Sequence, residues 1–157
     1  MTAKANIPLT DAAARLRMAI VRTGRRLRQE AAAESSGLTP TSTAALATIE
    51  RHGPLTPSEL AELERVKRPT VTRTLGCLDR EGLIERTPDP ADGRSSLVAV
   101  NAAGRERLRR LRGRKNAYLA KRMRDLPADD VAALERAAEI LEGMLESEDA
   151  RARRGVS

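Results

Sequence analysis

Aromatic residues are almost absent from this chain, which has one tyrosine and no tryptophan or phenylalanine. A hydrophobic core must therefore be built from leucine, valine, isoleucine, methionine and alanine, as in a closely packed helical protein. The same shortage argues against binding to RNA or single-stranded DNA, because both depend on aromatic side chains that stack on bases.

Cysteine, histidine and long apolar runs are scarce as well. The single cysteine, Cys77, excludes an internal disulfide and fits a reducing cytoplasm. The single histidine, His52, has no second histidine and no nearby cysteine, which makes it a poor metal ligand. The N-terminal 30 residues contain no uninterrupted apolar stretch, so we expect neither a signal peptide nor a membrane span. These features predict a cytoplasmic protein with no membrane partner.

Enzyme motifs are missing too. There is no glycine-rich phosphate-binding loop, no second histidine to act as a base and no Cys/His cluster. Cys77 could be a redox-sensing thiol because Arg73 and Arg80 lie within one helical turn, but a small packing residue is the favoured interpretation. We therefore expect no catalytic residue, no metal and no cofactor.

Positive charge is what the chain has in excess. Its formal net charge is +7 and its isoelectric point is about 10.6, which favours a polyanionic partner, although an arginine-rich proteome would give a similar composition. Ten basic residues and one acid occupy 105–124, whereas nine acids and one arginine occupy 125–149. This asymmetry fits a protein whose basic end faces nucleic acid. Alternatively, solvent-exposed helical faces would also tolerate such charges.

The spacing of apolar residues predicts six helices and one β-hairpin after a loose tail at 1–8. We expect helices over 9–34 and 40–52, a third that opens at 56–59, and a fourth that begins after 64–66 and runs from 67 to about 80. Strands should cover 83–87 and 96–100, and two more helices should follow Asn101 and Pro127. Thr56, Pro57 and Glu59 form a capping box at the third helix. Leu60 and Leu63 should face inward from that helix, and the fourth should bury Val71, Leu75 and Leu78.

Residues 54–100 therefore read as helix, turn, second helix and hairpin. A helix held in this way can enter a DNA major groove, and a hairpin beside it can place a cation on the backbone or in the minor groove. Arg73 could reach a phosphate or a guanine edge, and Arg94 follows Asp92 and Gly93 at the hairpin tip. Further candidates are Arg65, Lys67 and Arg86 near phosphates, and Thr70, Thr72 and Thr74, which could instead cap or pack.

The first and last helices each carry an apolar stripe. In the last helix Val131, Leu134, Ala138, Leu141 and Leu145 recur three and four residues apart, as in a coiled coil. The two stripes could pack within one chain or form a dimer seam. We favour the dimer, because two half-sites multiply affinity and specificity.

The order of these elements resembles that of the MarR family of bacterial transcriptional regulators. The string LTPSELAELERVKRPTVTRTLGCLDREGLIER is similar to the family's helix–turn–helix, and TPDPADGR followed by LVAVNAAGRERL is similar to its wing and next helix. The resemblance implies a mainly α fold with a small β-hairpin wing, a winged helix-turn-helix on a helical dimerisation platform. DNA binding would fall to 54–100, and dimerisation to 1–53 with 101–157.

The resemblance also assigns residues and a partner. The DNA contacts would be Arg68, Pro69, Thr70, Thr72 and Arg73 in the recognition helix, with Asp92 and Arg94 in the wing. Arg94 would reach the minor groove or flanking phosphates, and Asp92 would hold the wing through an ion pair. Gly93 departs from the arginine that many members carry there, and the N-terminal cysteine of the peroxide-sensing branch is absent.

The resulting hypothesis is a homodimeric, sequence-specific regulator that binds a double-stranded DNA operator. The resemblance implies repression relieved by a small lipophilic or phenolic effector, in a pocket lined by helices one, two and five. The alternative is an effector-independent architectural DNA-binding protein. Sequence-specific binding and release by a small molecule distinguish the two.

Overall fold

The computed structural model describes residues 8–32 and 37–154, with the backbone alone over 147–154. Within these residues lie six helices and a two-stranded sheet, in the order α1 (Leu9–Ala32), α2 (Pro40–His52), α3 (Pro57–Glu64), α4 (Arg68–Arg80), β1 (Ile84–Pro88), β2 (Ser96–Val100), α5 (Ala102–Met123) and α6 (Ala128–Arg154). The mainly α fold with one hairpin is confirmed. Most of the expected tail and the expected end of the first helix at 33–36 lie outside the described residues.

The chain divides into two compact units, 1–118 and 119–157, with the boundary inside α5. The first unit holds the main core, which α2, α3, α4 and the hairpin build together. Leu46, Ile49, Leu60, Leu75, Leu78 and Val98 are its largest fully buried side chains. None of the described helices combines the length and the hydropathy that a membrane crossing requires.

Side chains fix the helix starts as the sequence predicts. The Thr56 hydroxyl accepts a hydrogen bond from the Glu59 amide (3.2 Å), and the Glu59 carboxylate accepts one from the Thr56 amide (2.7 Å), which completes the capping box. Asn101 caps α5, because its Oδ1 accepts from the Gly104 amide at 2.9 Å. Such caps satisfy amides that have no partner within the helix.

Leu63 corrects one expectation, because its side chain is 47% exposed rather than buried. The inward face of α3 is set by Leu60 and Ala61, which are buried, and by Glu64, which accepts a hydrogen bond from the Thr48 hydroxyl. At 100° per residue, Leu63 lies roughly 110° from the middle of that face.

The hairpin pairs β1 and β2 in antiparallel register, from Ile84 opposite Val100 to Pro88 opposite Ser96. The first strand begins one residue later than expected, because the Leu83 amide bonds to the Leu78 carbonyl and so still belongs to the end of α4. Leu55 adds a bridge to Val98, with backbone hydrogen bonds of 3.0 and 2.8 Å. This bridge ties the start of the helix–turn–helix to the hairpin.

Candidate DNA-binding surface

Helix α4 has one buried face and one exposed face. Val71, Leu75 and Leu78 are buried as expected. The opposite side exposes all five recognition-helix candidates, namely Arg68, Pro69, Thr70, Thr72 and Arg73. Thr74 fits the packing alternative that the sequence left open: only 8% of it is exposed, because it lies beside Val71 on the buried side of α4.

This exposed face carries two arginines, Arg68 and Arg73. Among the described residues, no acidic side chain lies within ion-pair distance of Arg68 or Arg73. The Thr72 hydroxyl donates to the Arg68 carbonyl at 3.1 Å, so its oxygen can still accept a hydrogen bond. The face therefore offers free cations and small hydroxyl groups, which are the groups that phosphates and base edges recognise.

The wing tip is held by two aspartates through backbone hydrogen bonds. Asp89 Oδ1 accepts from the Ala91 amide (2.9 Å), and Asp92 Oδ1 accepts from the Arg94 amide (3.0 Å). The expected ion pair of Asp92 is wrong for the described part of the chain, because a carboxylate two residues before an amide closes a local turn instead. The Arg94 side chain is exposed, with no acidic partner among the described residues.

An ion pair links the wing to α4, and sequence reasoning missed it. Both Nε and Nη2 of Arg86 donate to Asp79 Oδ2, at 3.0 and 2.6 Å. Arg86 is therefore occupied by Asp79 and is not the free phosphate neighbour that the sequence suggested. Opposite charges seven residues apart across a helix-to-strand turn were the available signal. The pair connects the recognition face of α4 with the strand that leads to Arg94.

A cavity of about 350 Å³ lies among α1, α2 and α5, the location that the resemblance implies for an effector. Its apolar wall includes Ala31, Leu38, Ala44, Leu108 and Leu111. Three cations also line it: Arg28, Lys115 and Arg112, of which Arg112 is paired with Glu50. The lining combines aliphatic surface with positive charge and contains no aromatic ring among the described residues.

The remaining candidate residues are Cys77, as a redox thiol, and His52, as a metal ligand. Cys77 is half-buried against the core, and its thiol donates to the Gly37 carbonyl at a sulfur–oxygen distance of 3.6 Å, which fits a packing role. His52 is exposed at the end of α2. Across 8–32 and 37–146, no group of three or more His, Cys, Asp or Glu side chains is arranged to hold a metal ion.

These elements define a winged helix-turn-helix protein: a capped α3, a turn, a two-faced α4 and a hairpin tied to both. The MarR family model matches residues 38–96, from the start of α2 to the hairpin. An HTH-type transcriptional regulator of Mycobacterium bovis, Mb0904, is 34% identical over 126 residues, which are 80% of this chain and 87% of that protein. The chain belongs to the MarR family.

Solved structures agree with this assignment. A transcriptional regulator from Pseudomonas aeruginosa is 31% identical, with a TM-score of 0.76 over 87% of this chain and 96% of its own. The MarR protein of Escherichia coli is 26% identical, with a TM-score of 0.67 over 86% and 97% of the two chains. The protein is thus a DNA-binding transcriptional regulator and not an enzyme.

Proposed function

We propose that the chain is a homodimeric, cytoplasmic repressor that binds a pseudo-palindromic operator and is released by a small ligand. In this proposal 54–100 binds DNA, and 1–53 with 101–157 form the dimer. The observation that carries it is the exposed face of α4, where Arg68 and Arg73 lie beside threonines without an acidic partner among the described residues. A buried, packed opposite face holds these groups in place.

The proposed contacts divide between two grooves. Arg73 binds a guanine edge or a phosphate in the major groove, and Thr70 and Thr72 contact phosphate, sugar or a base. Arg68 and Pro69 border the same groove at the start of α4. Arg94 enters the minor groove or binds flanking phosphates, while Asp92 fixes the turn that presents it.

Dimerisation and repression rest on further support. Leu16 and Ile20 of α1 and Leu134 and Leu145 of α6 are all more than 40% exposed in the single chain. A dimer formed by burying them binds two half-sites if its recognition helices lie about 34–36 Å apart, one turn of DNA. MarR itself, to which this chain is similar, is described as the multiple antibiotic resistance repressor.

The proposed effector is a small amphipathic anion. The cavity is near the lower end of the roughly 300–1,000 Å³ typical of ligand pockets, and aliphatic side chains form much of its wall. Arg28 and Lys115 would bind an anionic group, because their charges are not paired with an acid among the described residues. The lack of aromatic rings in the described lining favours an aliphatic body over a phenolic one.

The proposal can be tested by fluorescence anisotropy, which compares binding to the duplex upstream of the protein's own gene with binding to a scrambled duplex. We expect a preference of roughly 10³-fold for the genuine operator. Arg73→Ala and Arg94→Ala should each cost about 1–3 kcal/mol of binding, with unchanged helicity. Arg136→Ala, which removes the same charge from α6, is the matched control and should bind normally.

Two results would contradict parts of this proposal. Normal affinity of both the Arg73 and Arg94 variants would exclude the assigned DNA face. Equal, steeply salt-dependent binding to every duplex tried would favour the architectural alternative.

Octanoate serves as the probe of the cavity: it should release the operator, and Lys115→Gln should weaken that release without changing DNA affinity.

A further inference from the structure

Arg65, in the turn between α3 and α4, has a backbone conformation that arginine disfavours. Its φ is 52° and its ψ is 43°, and it is the only non-glycine residue with positive φ in the described ranges 8–32 and 37–154. Left-handed helix ends usually carry glycine or asparagine, because a Cβ atom crowds the following carbonyl there. The backbone alone therefore favours glycine at this position.

Contacts within the fold do not explain the arginine either. The Arg65 amide bonds to the carbonyls of Ala61 and Glu62, and any residue except proline could make those bonds. The side chain is exposed, and neither Glu62 nor another acid of the described chain lies within ion-pair distance of it. Within the part of the chain that the structure describes, replacing Arg65 by glycine would thus remove no stabilising side-chain contact.

The position of Arg65 does offer an explanation. It lies three residues before Arg68, where α4 begins, and the exposed Lys67 stands between them. The turn of a helix–turn–helix leads directly into the helix that enters the major groove. When such a helix enters the groove, a cation on the preceding turn would lie near the phosphates that border it. No acid among the described residues neutralises Arg65.

We infer that Arg65 binds a DNA phosphate, and that this contact maintains an arginine where the backbone would favour glycine. The contact is sequence-independent, because phosphates carry no base identity. The inference rests on the DNA binding of the family and not on repression, dimerisation or an effector. It predicts a trade-off at one residue, in which the change that eases the fold weakens the binding.

The test compares Arg65→Gly with the wild-type protein on a random 30-base-pair duplex across a salt series. At about 0.1 M salt we expect a roughly 3–10-fold loss of affinity, and the slope of log K against log salt should shrink by about 0.9 for each copy of the chain bound. The affinity for any other duplex should fall by the same factor. The midpoint of thermal unfolding should stay equal or rise by about 2–4 °C.

Three matched variants complete the experiment. Arg65→Asn also suits the left-handed conformation and should lose affinity as Arg65→Gly does, whereas Arg65→Lys should retain binding within about twofold because it keeps the charge. Arg136→Ala controls for net charge and should bind normally. Unchanged affinity and salt slope in both the glycine and asparagine variants would overturn the inference. A lower unfolding midpoint in both would also overturn it, since Arg65 would then serve the fold.

Discussion

Gly104 lies where the first turn of α5 packs against the base of the hairpin. A Cβ atom there would overlap the Leu83 carbonyl oxygen and would lie 2.6 Å from Val100 Cγ1. The carbonyl cannot retreat easily, because it also accepts a hydrogen bond from the Asn101 amide at 3.2 Å. A single missing methyl group therefore permits the contact between hairpin and helix.

Gly104→Ala should destabilise the protein by about 1–3 kcal/mol, because the added methyl overfills a closed site. Gly113→Ala, in the same helix, should stabilise it by up to about 1 kcal/mol, since nothing lies within 4 Å of its added Cβ and alanine favours the helix. Urea unfolding followed by circular dichroism measures both. Equal effects of the two substitutions would show that the close approach at Gly104 is not rigid.

At the scale of the element, α3 depends on its capping box. Hydrogen bonds from the Thr56 amide, and then from its hydroxyl, hold the pKa of Glu59 below the ordinary value of 4.5. A group with a lowered pKa in the folded state stabilises the protein above its unfolded pKa. That contribution disappears as the pH falls through the lower, folded value.

Glu59→Gln should therefore destabilise the protein slightly at pH 7, by a few tenths of a kcal/mol because the site is exposed. The difference from the wild type should shrink as the pH falls from about 5 to 3, since the protonated carboxyl group then resembles the amide. Urea midpoints at several pH values measure this. A difference that is constant with pH would mean that the charge of Glu59 contributes nothing to the cap.

Helix ends were predictable because their signals are local. Thr56 and Asn101 lie within four residues of the amides that they cap, so the sequence alone indicates both contacts. The inward direction of α4 also followed from its period of 3.6 residues. The prediction that Leu63 faces inward was wrong, because the buried side of α3 is set partly by α2. The contact that sets it is the hydrogen bond from Thr48 to Glu64.

The candidate site was predictable to a similar extent. Exposure of Arg68, Arg73 and Arg94 follows from spacing and from the hairpin tip. The Asp79–Arg86 pair joins two elements, and the positive φ of Arg65 depends on how α3 packs before α4, so neither follows from a local pattern. DNA contact by the named residues remains a prediction.

At the scale of the whole molecule, the apolar surface left on α1 and α6 is the main feature that one chain does not explain. Leu134 is 47% exposed and Leu145 is 63% exposed, and eleven residues place them on the same side of α6. Covering each half-exposed leucine is worth on the order of 1 kcal/mol. A symmetric dimer would cover both leucines in each of its two copies, which makes four buried leucines in all.

Replacing both Leu134 and Leu145 by aspartate should therefore dissociate the proposed dimer, because four buried leucines become four charges. The expected loss is at least about 4 kcal/mol, a shift of roughly 10³ in the dissociation constant. Light scattering should give twice the chain mass of 17.1 kDa for the wild type and the chain mass for the variant.

The control is Ala132→Asp with Gly143→Asp, which lies about 160–180° around α6 from Leu134 and should leave the dimer intact. A variant that stays dimeric would place the interface elsewhere, whereas dissociation by the control pair would point to charge rather than to this stripe.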